Sequence, residues 1–149
     1  MDYALRPATT ADYDFLYRLN KTAMRPVVEK TWGWDEAYQQ THFKQHFTLI
    51  DAFVITVAEA DIGKLQVERN RDTIFLASIQ ILPEYQRNGI GTAIIQTLMD
   101  AAKTYRLEIT LQVLKANSAA RRLYEKLGFI TYGETVMHYL MRFTAPHLP

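Results

Sequence analysis

Cysteine is absent from the 149-residue chain, which excludes disulfides, thiolate nucleophiles and cysteine-based zinc sites. An excess of one charge is also missing: Lys and Arg number 17 against 16 for Asp and Glu, a formal net charge of +1. A general nucleic-acid binder needs surplus cations to displace counterions from phosphates, so near-neutrality leaves room for no more than a local basic patch. No apolar run approaches the roughly 20 residues that span a bilayer, and the opening Met-Asp-Tyr-Ala-Leu-Arg-Pro has no apolar signal core. The expectation is a cytoplasmic protein that engages neither nucleic acid nor membrane. Of the four histidines (His42, His46, His138, His147), His42 and His46 stand at i, i+4. No acid lies between them and no third ligand is near, so a packing or surface role is expected and no metal.

Low-complexity tracts, repeats and linkers are missing too. What is present is ordinary globular composition, 48% hydrophobic and 22% charged. At this length one domain, 1–149, can bury roughly 70% of its unfolded surface in a single core, as a monomer or homodimer. Tyr3 to Arg6 suits a short strand ended by Pro7. Thr9 or Thr10 can cap a helix with Asp12 in its first turn and Phe15, Leu16, Leu19 and Ala23 on one face. Residues 25–34 break that period and read as a loop, and Asp35 opens a second helix to about Phe47. Phe53 to Ala58, then Ile62, Leu65 and Val67, then Thr73 to Leu82 read as a three-strand antiparallel meander with turns at 59–61 and 69–72.

The second half alternates. Ile90, Ile94, Ile95, Leu98, Ala101, Ala102 and Tyr105 form a helical stripe, and Ile109, Leu111 and Val113 a strand. Ala120, Leu123, Tyr124 and Leu127 mark another helix, with Gly128 as its stop. Phe129 to Tyr132 and Val136 to Phe143 close the chain as strands. Strand–helix–strand order makes the strands on either side of the 90–105 helix parallel. The fold class is α/β with a mixed central sheet flanked by about four helices.

Two segments carry chemistry. Gln86-Arg87-Asn88-Gly89-Ile90-Gly91-Thr92 lies between the long strand and a well-formed helix. Unpaired N–H groups and the positive end of the dipole at that helix start suit an anion such as a pyrophosphate, and glycines let the backbone approach it. The loop lacks the Lys-Ser/Thr of a Walker loop and has one glycine fewer than the dinucleotide fingerprint; a plain tight turn is the alternative. The second segment is Asn117-Ser-Ala-Ala-Arg-Arg-Leu-Tyr124-Glu-Lys-Leu-Gly128-Phe129. Asn117 or Ser118 can cap its helix, and Tyr124 alone could be a core aromatic.

Together, Gln86-x-x-Gly89-x-Gly91 after a long strand and Asn117-x-x-Ala120-x-x-Leu123-Tyr124-x-x-x-Gly128-Phe129 resemble the GNAT superfamily of N-acetyltransferases. The match is strongest from about Ile79 to Phe129, and the element order extends it over the whole domain. The resemblance implies acetyl-CoA as donor, wedged where two parallel strands part. It implies that Ile79, Gln80 and Ile81 meet the acetyl and pantetheine arm through backbone groups. Arg87, Asn88, Gly89, Ile90, Gly91 and Thr92 would hold the pyrophosphate, the Asn117 side chain would contact the cofactor, and Tyr124 would be the general acid at the sulfur. The implied reaction is acetyl transfer to a primary amine, read as that of a small molecule. A peptide or protein amine, or a non-catalytic CoA sensor, are the alternatives.

That reaction must deprotonate the amine, stabilise an oxyanion and release a thiolate. An alkyl ammonium with pKa near 10.4 is neutral in only about one part in a few thousand at pH 7. Oxyanion donors fall to backbone N–H groups around Ile79 to Ile81. A phenol near pKa 10 facing a thiolate of conjugate pKa near 8.5 leaves full proton transfer uphill by roughly 2 kcal/mol. Some members that acetylate protein N-termini carry a Glu base on the strand before the Asn motif; Gln112 stands there and cannot accept the proton. Glu68 is the base assigned here, with Glu29, Asp35, Glu36, Glu134 and His138 as further candidates. The resemblance places the acceptor wall between the first two helices. There Trp32, Trp34, Asp35 and Glu36 set two indoles beside two carboxylates, which suits a cationic amine; packing of a helix pair is the alternative.

Overall fold

The computed structural model describes residues 2–146, and among these the chain forms seven strands and four α-helices; His147 lies outside them. The elements follow in the order β1 (Ala4–Pro7), α1 (Tyr13–Thr31), α2 (Glu36–His46), β2 (Ala52–Val57), β3 (Ala60–Arg69), β4 (Thr73–Ile81), α3 (Ile90–Tyr105), β5 (Glu108–Leu114), α4 (Ser118–Leu127), β6 (Ile130–Glu134) and β7 (His138–Thr144). The strands make one open mixed sheet, β1-β2-β3-β4-β5-β7-β6. The β1–β2, β2–β3, β5–β7 and β6–β7 pairs are antiparallel, and β4–β5 is parallel. That parallel pair brackets α3 as the strand–helix–strand order requires, because only a crossover returns the chain to the same direction. No helix among the described residues is long and apolar enough to cross a membrane.

Two compact units divide the chain: one takes the residues up to Gln66 together with Ser78–Gly91, the other Val67–Ala77 and the residues from Thr92. Neither unit is a continuous stretch of sequence, because β3 and β4 contribute to both.

In the first unit the apolar face of α1 buries Leu16 and Leu19 against Ala8, Ala52 and Val54, with Phe15, Phe43, Phe47, Leu49 and Leu82 around them. Tyr13 meets Phe43 and Phe47 edge-on at 5.4 and 4.9 Å between ring centroids. Asp12 precedes α1, and its role is both local, in a capping box with Thr9, and tertiary. Its carboxylate accepts both terminal nitrogens of Arg6 on β1, at 2.7 and 2.9 Å, and the Thr9 backbone N–H at 2.8 Å. The Arg6 guanidinium holds that carboxyl below its usual range, against the opposing effect of burial.

One expectation fails here. Residues 25–34 are not a loop: α1 runs on to Thr31 with Pro26 inside it, and only the residues between Thr31 and Glu36 leave the helix. An interior proline removes one donor and crowds the carbonyl a turn earlier, at a cost of about 3 kcal/mol. The helix persists because Pro26 faces solvent, while Val28 is buried and Arg25 pairs with Glu29 at 2.7 Å. Burial beyond the proline outweighs its local penalty.

The β3–β4 hairpin contains an irregularity. Its backbone bonds include Asn70 N–H to Thr73 O and Leu82 N–H to Ile62 O. Between these two pairs lie seven residues on β3 (63–69) and eight on β4 (74–81). In an antiparallel ladder such a mismatch is a bulge, with the extra residue on β4. Gly63 marks the tight spot, since a Cβ there would stand 2.5 Å from the Gln80 carbonyl oxygen and 3.1 Å from Ile55 Cδ1. Gly63→Ala is expected to cost about 1–3 kcal/mol through forced backbone movement, read as a melting temperature lower by roughly 2–4 °C per kcal/mol. An unchanged melting temperature would contradict the close approach of the two strands.

In the second unit β5 pairs with β7 over its full length, Glu108↔Thr144 to Leu114↔His138. Ile94, Ile95 and Ala102 of α3, Ile109, Leu111 and Val113 of β5, Phe129, and Met141 and Phe143 of β7 are buried. The alternation seen along 109–113 and the helical stripe along 90–105 are those inward faces. β4 enters this unit at Thr73–Ala77, yet its pairing with β5 stops at Phe75↔Thr110. The parallel strands therefore part before the end of this stretch of β4.

Candidate active site

One candidate segment is the end of β4 and the loop that follows. Ile79, Gln80 and Ile81 are half-buried and lie within the stretch 74–81 that carries the extra residue. The Gln80 side chain turns toward α1 and donates through Nε2 to Asn20 Oδ1 at 2.9 Å, which fixes the strand end to the helix. After the single 3-10 turn Pro83–Tyr85, Gln86 Nε2 donates back to the Ile81 carbonyl at 2.8 Å. The loop is thus tied at its base. Arg87 and Gly89 then both take left-handed conformations, φ 64° and 79°. Such alternation turns successive N–H groups toward one concavity, a backbone nest for an anion. For Arg87 this conformation carries roughly 1–2 kcal/mol of strain.

Arg87, Asn88 and Gly89 are exposed, whereas Ile90 is buried and anchors the start of α3. The first-turn N–H groups of α3, Ile90 to Ala93, have no intrahelical acceptor. At Gly91 the chain itself leaves room for a side chain: a Cβ would meet only Ile81 Cδ1, at 3.5 Å. Exposed donors, a nest and a helix start together make a cradle that fits a phosphate group.

Another candidate segment is α4. Asn117 is its N-cap, with Oδ1 accepting from Ala120 N at 3.2 Å. That bond occupies the amide oxygen and leaves the amide NH2 as donor, so capping and ligand contact are compatible. Gly128 closes the helix at φ 107°. Tyr124 packs its ring on Phe129 at 5.7 Å between centroids and is half-buried. Burial pushes its phenol up to about 12.

In the loop between α1 and α2 the polar groups are bonded within the chain. Glu36 is a hub: it accepts Lys21 Nζ at 2.8 Å, Trp34 Nε1 at 2.8 Å, the Tyr17 hydroxyl at 2.8 Å and Gln40 Nε2 at 3.1 Å. The Lys21 hydrogen bond, then those from Trp34 and Tyr17, lower its carboxyl to about 2. Asp35 caps α2 by accepting from Tyr38 N at 3.0 Å. Arg25 lies over the Trp34 ring at 5.8 Å. Cation, indole and carboxylate thus satisfy one another within the chain. Of the four residues assigned to the acceptor, Trp32, at 59% exposure, and Asp35 are exposed, and Trp34 and Glu36 are half-buried.

The base candidates disperse. Glu68 is exposed near the end of β3, five residues along the strand from Gly63, or about 16 Å at the usual rise. Glu29 pairs with Arg25 and Glu134 with Lys115 at 3.6 Å. His138 opens β7, and Gln112 is exposed on β5 opposite Leu140. Among the described residues no group of three or more His, Asp or Glu side chains is placed to hold a metal ion. Asn20, Gln86 and the Glu36 hub were missed in the sequence; only Gln86, within the loop motif, left a trace there.

Known proteins resemble this chain. Residues 13–129 match the model of the acetyltransferase (GNAT) family. The chain is 31% identical to an N-alpha-acetyltransferase of Sulfurisphaera tokodaii over 86% of its own length and 80% of that protein's. It is also 31% identical to the ribosomal protein bS18-alanine N-acetyltransferase of Escherichia coli, over 80% of this chain and 76% of that one. Among solved structures, the PaiA N-acetyltransferase of Thermoplasma acidophilum in complex with coenzyme A superposes with a TM-score of 0.79 at 16% identity, covering 97% of this chain and 99% of that one. The spermidine N-acetyltransferase of Vibrio cholerae, with CoA and spermine, gives 0.66 at 23% identity, covering 95% of each chain. These two likenesses speak to fold alone. With the family match spanning most of the chain and relatives at 31% identity over 80% or more of it, the chain belongs to the GNAT acetyltransferase family and is an acetyl-CoA-dependent N-acetyltransferase.

Proposed function

We propose that the acceptor is the α-amine of a peptide or protein N-terminus. The observation that carries this reading is the pair of relatives at 31% identity over most of the chain, one named an N-alpha-acetyltransferase and the other acting on the alanine of a ribosomal protein. The site's chemistry favours it as well. A small cationic amine was expected from the acids beside Trp32 and Trp34, but Asp35 and Glu36 are engaged within the chain. An α-amine also asks less of a base. With a pKa of 7.7–8.0 it is neutral in about one part in seven at pH 7, against one in a few thousand for an alkyl amine. A site with Gln112 in place of an acid suits an acceptor that sheds its proton readily, with water as its carrier.

In this reading the nest at Arg87–Gly89 and the donors from Ile90 to Thr92 hold the pyrophosphate. Asn117 gives its amide NH2 to the cofactor, and the backbone of Ile79–Ile81 binds the acetyl carbonyl and its oxyanion. The neutral amine attacks that carbonyl, the C–S bond breaks, and Tyr124 hydrogen-bonds the departing sulfur. The test is thiol release from acetyl-CoA with peptides whose α-amine is free or formylated, beside spermidine and lysine. Turnover confined to free α-amines is expected; faster turnover of spermidine or of lysine's side chain would overturn the assignment.

A further inference from the structure

We propose that Lys64 selects the acceptor, its ammonium receiving a carboxylate carried by the side chain of the first residue of the N-terminus. This rests on the α-amine reading above. Lys64 lies on β3 directly opposite Val54 of β2, and residues opposite one another in an antiparallel pair share a face of the sheet. Val54 is fully buried in the cluster with Leu16 and Leu19 of α1. Lys64 therefore enters the layer between sheet and helix, where lysine is among the rarest residues. Desolvation alone lowers its pKa, the mark of an ammonium that has lost water without gaining a counter-charge. Among the described residues no ion pair involves it, and three acids in or beside the helices of this unit are paired elsewhere: Asp12 with Arg6, Glu29 with Arg25, Glu36 with Lys21.

The position matters as much as the charge. Gly63, next to Lys64, sits against the Gln80 carbonyl, at the end of β4 assigned above to the acetyl group. The Gln80 side chain faces α1 as Lys64 does, and its bond to Asn20 uses the Asn20 amide oxygen. The Asn20 NH2 remains as a donor. A fixed amide donor and an ammonium on the same side of the sheet, beside the strand that presents the acetyl group, are what a carboxylate accepts. If Lys64 instead carried its amine out to water along an apolar stem, it would have no say in the acceptor.

The test uses four matched peptides beginning Asp, Asn, Glu and Gln, with free aspartate as a further acceptor, on wild type, Lys64→Met and Lys64→Arg. Wild type is expected to prefer the acidic member of each pair by about tenfold or more in kcat/KM, the size of one charge-assisted hydrogen bond, with the difference in KM. Lys64→Met should bring each ratio to about one, and Lys64→Arg should restore part of it. Equal rates on acidic and amide peptides in wild type, or a preference that survives Lys64→Met, would overturn the proposal, as would free aspartate outrunning the Asp peptide. Failure of every peptide to turn over would instead strike the α-amine reading.

Discussion

Tyr124→Phe is expected to bind acetyl-CoA like wild type and to lower kcat about 10²-fold or more, the usual size of lost acid assistance. The ring keeps its contact with Phe129, so only the hydroxyl disappears. Burial raises the phenol to about 12, whereas a thiol near 8.5 is the proton's destination. Complete transfer is then uphill by about 5 kcal/mol, more than double the figure for an unperturbed tyrosine. In the proposed mechanism Tyr124 consequently acts as a hydrogen-bond donor to charge growing on sulfur, and the thiolate takes its proton later. The sign of the shift fixes the pH profile. Below about 12 the phenol stays protonated, so no falling limb from Tyr124 is expected under pH 10. The rising limb of kcat/KM should follow the acceptor amine near 7.7–8.0. A variant that turns over like wild type would make Tyr124 a packing residue.

Gly89→Val and Gly91→Val should both abolish most of the stabilisation given by acetyl-CoA, but for different reasons. Ligand at about 100 times its dissociation constant adds roughly 2.7 kcal/mol to the folded state. At Gly89 no atom lies within 4 Å of an added Cβ, yet φ is +79°. A β-branched residue there is strained by roughly 1–2 kcal/mol, so the ligand-free protein should melt lower as well. Gly91 has an ordinary helical backbone and one contact at 3.5 Å. Its variant should melt close to wild type without ligand and lose the shift with it. Thermal melts with and without millimolar acetyl-CoA separate the two. A full shift retained in both variants would remove the loop from cofactor binding.

What could be read from the sequence was local in origin. The helix at Ile90–Tyr105 carries an apolar stripe, a glycine-bearing start and a buried face, and these signals agree with its packing. Asn117 and Gly128 mark the ends of α4 by their own side chain and backbone, so that helix was legible to within a residue. The extent of α1 was not, because burial of Val28 two residues beyond Pro26 decides it. Nor was the fate of Glu36. A carboxylate between an indole and a helix start reads as a ligand for a cation until Lys21, fifteen residues earlier, is placed beside it. The Asn20–Gln80 bond joins residues 60 apart, and the β4 bulge depends on its pairing with β3. Neither has a signature in the residues themselves. The loop proposed to hold the cofactor, built from one turn and one helix start, was therefore clear in outline, while the proposed acceptor side, on α1, α2 and β3, was not.

The destination of the acetyl group tests the central claim most directly. A peptide with one free α-amine and one internal lysine, incubated with acetyl-CoA and the protein and then fragmented in a mass spectrometer, reports where the group resides. Acetylation at the α-amine alone, in step with thiol release, is the expected result. Acetyl on the lysine side chain, or thiol released with no peptide modified, would contradict it.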